Sequence, residues 1–151
     1  MSDEVADAWV GLRETYKSLV RGLDAELDAR HGLTLSSLEV LGRLAAADGR
    51  CLQPSALAEA TGLSRSRITR ICDALEARGL VARVRRSEDS RTVDARLTDA
   101  GAALVPAAQE THLRYVRERF FAHLSDGEQA MLVAVFRRLA PGAAPACAAG
   151  E

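Results

Sequence analysis

The chain has 151 residues, 48% of them hydrophobic and 4% aromatic, with a formal net charge of −1. That length fits one domain with a core built mainly from Leu, Val and Ala. No run of about 18 apolar residues could span a bilayer, and the acidic start MSDEVADAW lacks the apolar core of an export signal, so a cytoplasmic location away from membranes is expected.

The chemistry-bearing residues are scattered. Cys51, Cys72 and Cys147 form no C-x-x-C pair, and His31, His112 and His123 stand far apart. Neither a metal nor another cofactor is expected. With no nucleophile–base pairing at an informative spacing and no glycine-rich phosphate loop, an enzyme is not expected either.

The elements follow in chain order. Residues 4–30 form one long helical pattern, with Val5, Trp9, Leu12, Tyr16, Leu19, Leu23 and Leu27 spaced close to a heptad seam. His31-Gly32 ends it. A second helix runs from Leu33 to Ala47, with Thr34, or Ser36 together with Glu39, near its cap. Pro54 to Ala60 is a short helix with proline at its first position. Thr61-Gly62-Leu63 then turns into an arginine-rich helix that Ser64 can cap and Gly79 can stop. Helix, short glycine turn, helix is the helix-turn-helix pattern.

In the arginine-rich helix, Ile68, Ile71, Cys72 and Leu75 share an apolar stripe. The opposite side carries Ser66, Arg70, Asp73 and Ala77, flanked by Arg67 and Thr69. This helix is basic in its N-terminal half, the half by which a recognition helix enters the major groove. Leu80 to Val84 and Thr92 to Leu97 then alternate as two strands around the polar tip Arg85 to Arg91, a hairpin wing. From Arg65 to Arg96 nine arginines face five acids, a local +4 that leaves −5 for the other 119 residues. Positive charge gathered on one module suits a phosphate-binding footprint.

Thr98 opens another long helix, through about Phe121, with Pro106 inside it. Ser125-x-x-Glu128 is a capping box for a last helix, Asp126 to Leu139. The small-residue tail 140–151 is expected to be disordered. The expected fold is therefore mainly α with a small β-hairpin wing. A winged helix-turn-helix spans about 34–98, between terminal helices 4–30 and 102–139, all within one domain over 1–139. Those terminal helices carry more apolar surface than the small module can cover, and interlocking with a second copy in a homodimer would bury it.

The wing carries the most specific signature: Asp89-x-Arg91, then Leu97-Thr98-Asp99-Ala100-Gly101, behind the helix-turn-helix. With these motifs the chain resembles the MarR family of bacterial transcription regulators, over about Asp7 to Leu139. The resemblance implies a homodimer that holds a pseudo-palindromic duplex operator, most often as a repressor. It implies DNA contacts from Ser64, Arg65, Ser66, Arg67, Thr69 and Arg70, with Arg91 at the minor groove and Asp89 orienting it. The basic wing residues Arg85 and Arg86 belong to the same expected surface.

The resemblance also implies a small-molecule pocket between the dimer helices and the winged module. Trp9 and Tyr16 could pack an aromatic ring, Arg13 could take its anion and His112 its hydroxyl, which points to an aromatic carboxylate or phenol as effector. Two alternatives stand beside this reading. One is a thiol-redox regulator using Cys51 or Cys72, although residues 5–30 lack the cysteine that the family's peroxide-sensing branch uses. The other is a winged-helix module that binds proteins and has lost DNA.

Overall fold

The computed structural model describes residues 3–85 and 93–140. Six helices and three short strands follow in the order α1 (Asp3–His31), α2 (Leu35–Ala46), β1 (Cys51–Leu52), α3 (Pro54–Thr61), α4 (Arg65–Ala77), β2 (Val81–Arg85), β3 (Val93–Leu97), α5 (Asp99–Arg119) and α6 (Asp126–Leu139). Of the tip, residues 86–92 lie outside the described residues, and with them the expected positions of Arg86, Asp89 and Arg91. Cys147 and the tail beyond Ala140 lie outside as well.

The local signals form as expected. Thr34 caps α2 by accepting from Ser37 N, and Ser64 caps α4 by accepting from Arg67 N. Ser125 and Glu128 close a reciprocal capping box on α6. Gly62 and Gly79 both take the left-handed conformation, at φ 69° and 70°, where a side chain would be strained.

Two features depart from the sequence expectation. The first is a third strand. Cys51 and Leu52 pair antiparallel with Arg96 and Ala95, so the sheet runs β1-β3-β2 and the wing is anchored on both sides of β3. A two-residue strand is too short to leave a periodic trace in sequence. The second is the end of α5. The helix stops at Arg119, where Phe120 leaves helical geometry, and a separate 3-10 turn follows at Phe121–His123.

The core sits inside the winged module. Leu38, Leu41 and Leu44 of α2, Leu57 of α3, and Ile68, Cys72 and Leu75 of α4 pack with Leu80, which precedes β2, and with Val81 and Leu97 of the sheet. The C-terminal part of α1 contributes Leu23 and Leu27, and α5 contributes Val105 and Ala108. These two helices run antiparallel: Gly22 faces Tyr115, Glu26 pairs with Arg114, and His31 Nε2 lies 2.8 Å from Thr111 Oγ1. A Cβ on Gly22 would lie 1.8 Å from the Tyr115 hydroxyl oxygen, so the glycine leaves room for the Tyr115 ring to lie across α1.

Outside this core the N-terminal part of the α1 seam has no cover among the described residues. Trp9 is 61% exposed and Tyr16 65%, and no residue of α6 is buried, with Met131 67% and Leu139 75% exposed. The N-terminal half of α1 projects past the end of α5 because α5 runs out opposite its middle.

Candidate nucleic-acid interface

The site is assembled by the turn between α3 and α4. Gly62 reverses the chain, and Ser64 then starts α4 with its side chain committed to the first turn, accepting from Arg67 N at 3.3 Å. Ile68, Cys72 and Leu75 anchor one side of α4 in the core. The rest of its N-terminal half is exposed: Ser66 and Arg70 on the opposite side, Arg67 and Thr69 flanking them, and Ser64 and Arg65 in the first turn. Thr69 donates back to Arg65 O at 3.0 Å, which ties its hydroxyl to the helix. Arg85, the last described residue of β2, is exposed too. Among the described residues no carboxylate pairs with Arg65, Arg70 or Arg85.

The acids of the same helix share one cation. Arg83 on β2 pairs with Asp73 and, at 3.1 Å, with Glu76. The N-terminal half of α4 carries no acid and so presents a positive face, and the pairing holds the base of the wing against the helix. Both ion pairs are exposed, so their effect is on geometry and local charge more than on stability.

A groove of about 640 Å³ opens between the first turns of α2 and α4. Thr34 and Ser37 line it from α2, and Ser64, Ser66, Arg67 and Arg70 from α4. Arg67 reaches across its edge to donate to Ser36 Oγ at 3.1 Å. Two helix N-termini, with their outward N–H dipoles, and two guanidinium groups make this groove attractive to phosphate oxygens. Thr34, Ser36 and Ser37 are not among the contacts expected from the sequence. Thr34 and Ser36 are legible only as cap candidates, and nothing in the sequence places these residues beside Arg67, some thirty positions away.

The expected effector residues are not gathered within one chain. Trp9, Arg13 and Tyr16 lie on the projecting half of α1, where Arg13 and Lys17 both pair with Glu14. His112 lies on α5 level with the last turns of α1, so Tyr16 is about 20 Å further along the helix at 1.5 Å per residue. His112 is half-buried, and that burial pushes its imidazole pKa down and favours the neutral ring.

Nor do the two described cysteines favour thiol chemistry. Cys72 is buried on the α4 stripe, and burial pushes its thiol up, away from the reactive thiolate. Cys51 donates its S–H to the buried Asp94 carboxylate at 3.8 Å. Among the described residues no three His, Cys, Asp or Glu side chains gather as metal ligands, and no helix is long and apolar enough to cross a membrane.

Comparison with known proteins agrees with this architecture. Residues 31–92 match the model of the MarR family. The chain is 30% identical over 117 residues to the HTH-type transcriptional regulator YdgJ of Bacillus subtilis, covering 78% of this chain and 70% of that one. Among solved structures it resembles AbsC of Streptomyces coelicolor, with a TM-score of 0.81 and 28% identity over 93% of this chain and 95% of that one. Sco3205 of the same organism, a MarR family regulator solved in complex with DNA, superposes with a TM-score of 0.84 and 28% identity over 96% and 91%. The winged helix-turn-helix, its basic recognition helix and these relationships together make the chain a member of the MarR family of transcriptional regulators.

Proposed function

We propose that this regulator acts as a homodimer that holds a pseudo-palindromic operator and represses by occupying it. Each α4 would enter a major groove by its N-terminal half. Arg70 and Arg65 would read base edges or adjacent phosphates, and the exposed Ser64, Ser66, Arg67 and Thr69 would hold the register. Arg85 and Arg86 would extend the contact along the wing, and Arg91, oriented by Asp89, would reach the minor groove. The observation that carries the reading is the exposed N-terminal half of α4, whose arginines stand beside a hydroxyl-lined groove while Arg83 engages the acids behind them. The DNA-bound relative Sco3205 supports it.

Dimerisation is supported by the uncovered seam of α1 and by α6, whose Met131, Phe136 and Leu139 have no partner in the core. Two interlocked copies would bury both and set the two recognition helices about one or more DNA turns apart. A second copy is also what an effector site needs. Only a partner's α1 could bring the equivalents of Trp9, Arg13 and Tyr16 over His112, to enclose an aromatic carboxylate or phenol. Such a ligand would release the operator by binding the free arrangement more tightly than the DNA-bound one.

Fluorescence anisotropy tests the DNA reading. Wild-type protein should bind random duplex with strong salt dependence, and bind a duplex selected from a randomised library about a thousandfold or more tighter. Salt-insensitive or absent binding refutes it. Thermal melts with a panel of benzoates and phenols test the effector. Arg13→Ala should weaken any compound that raises the melting temperature.

A further inference from the structure

The recognition helix is tied to α1 at the end remote from the groove. Arg78, the residue that ends α4, turns its guanidinium onto the C-terminus of α1, where Nη2 donates to His31 O at 2.8 Å and Nη1 donates to Gly32 O. The local geometry is built for this contact. Gly32 takes φ 63°, and a Cβ there would lie 3.2 Å from Arg78 Nη2 and 3.3 Å from its Cζ, so the glycine both makes the turn and leaves room for the planar group. The carbonyls at the end of a 29-residue helix carry the negative end of its dipole, and a cation is favoured there.

The other polar ties of α1 go elsewhere. Asp24 accepts from Leu35 N of α2 at 2.7 Å, Glu26 pairs with Arg114 of α5, and His31 meets Thr111 of α5. Among the described residues, Arg78 is the side chain that hydrogen-bonds α4 to α1. It stands about 20 Å along the helix axis from the Ser64 end, at 1.5 Å per residue, so its charge lies away from the face offered to DNA.

We propose that Arg78 is a positioning residue that fixes the angle between α1 and the recognition helix, and thereby the spacing of half-sites the dimer accepts. The inference rests on the dimer reading above. If two copies meet through the projecting half of α1, each α4 is held relative to the two-fold axis through the last turn of α1. A guanidinium that spans two successive carbonyls fixes an orientation, which one flexible ammonium on a longer stem does not. Loss of the fork leaves the head folded and basic but loosens its placement.

The experiment uses full-length protein and a duplex selected from a randomised library by the wild type, with versions carrying one or two base pairs inserted at the centre. Wild type should lose about tenfold or more on insertion, a penalty of the size of mismatched base pairs. Arg78→Lys and Arg78→Ala should both bind the selected duplex about fivefold more weakly, yet differ less than about threefold between spacings. Their affinity for random duplex and its salt slope should stay close to wild type, because no phosphate contact is lost.

Three results overturn the proposal. Arg78→Lys matching wild type, while Arg78→Ala weakens on every duplex with a shallower salt slope, marks a phosphate contact instead. Both variants melting lower with the wild-type spacing preference intact marks a merely structural role. A wild type indifferent to spacing removes the dimer reading and this proposal with it, whereas the second result, with the preference kept in wild type and variants alike, removes this proposal alone.

Discussion

The Thr98 hydroxyl donates to Gly79 O at 2.7 Å while accepting from Gly101 N at 3.1 Å. One side chain thus joins the stop of the recognition helix to the start of α5. The Thr98 backbone N–H adds a bond to Leu80 O at 3.1 Å. Thr98→Val keeps the shape of the side chain and removes both hydroxyl bonds, one of which is an N-cap. The expected cost is about 1–2 kcal/mol, or roughly 3–6 °C in melting temperature. Calorimetry on the two proteins checks this, and an unchanged melting temperature contradicts it.

Gly101 sits one turn into the same helix for a different reason. A Cβ there would lie 2.2 Å from Leu80 O and 2.6 Å from Leu97 Cδ1. A backbone carbonyl cannot rotate aside as a side chain can. Gly101→Ala should therefore destabilise by about 1–3 kcal/mol despite alanine's better helix propensity. Urea titration should show a lower midpoint with an unchanged slope. A midpoint at or above wild type would mean that the helix start is free to shift.

Ser37 offers a way to separate folding from DNA binding. It lies in the first turn of α2, where a carboxylate is favoured by the helix dipole, but it also lines the groove beside Arg67 and Arg70. Ser37→Asp should leave the melting temperature unchanged or higher and weaken duplex binding by about tenfold. Arg70→Ala should cost about 1–3 kcal/mol of binding and relax base preference. If Ser37→Asp binds as wild type does while Arg70→Ala does not, the groove is not part of the interface although α4 is.

His112 gives stability a pH dependence whose sign follows from its burial. Its folded pKa is depressed by desolvation, so on acidification the unfolded chain takes up a proton that the folded chain resists. Stability present at pH 7.5 should fall as pH drops through about 6.5, the ordinary histidine value. Melting wild type and His112→Gln at pH 7.5 and 5.5 measures this. The variant should lose less on acidification, and an equal loss in both would assign the effect to other groups.

The uncovered helices predict the oligomeric state. Phe136 is 46% exposed and Leu139 75% in the isolated chain. Burying two such side chains in each copy contributes about 1.5–3 kcal/mol per side chain. Phe136→Ser with Leu139→Ser should move the dimer–monomer midpoint to markedly higher concentration in sedimentation velocity while the far-UV spectrum stays helical. A wild type that sediments as a monomer at micromolar concentration overturns the dimer reading outright.

What could be read along the chain was local in its physics. Thr34, Ser64 and Ser125 accept from backbone donors three residues ahead, and Gly62 and Gly79 take left-handed turns that other residues resist, so their roles follow from a few neighbouring positions. The apolar stripe of Ile68, Cys72 and Leu75 and the arginines opposite it follow from helical periodicity alone. Contacts between distant residues were not legible in this way. Only the fold brings Thr34 and Ser37 beside Arg67 and Arg70, turns Arg78 onto the end of α1, pairs Arg83 with Asp73, and lays Cys51 and Leu52 along β3. The heptad seam of α1 shows the division most clearly. The spacing of its apolar residues specifies a helix with an apolar face, but where α5 ends decides that Leu23 and Leu27 are buried while Trp9 and Tyr16 remain uncovered.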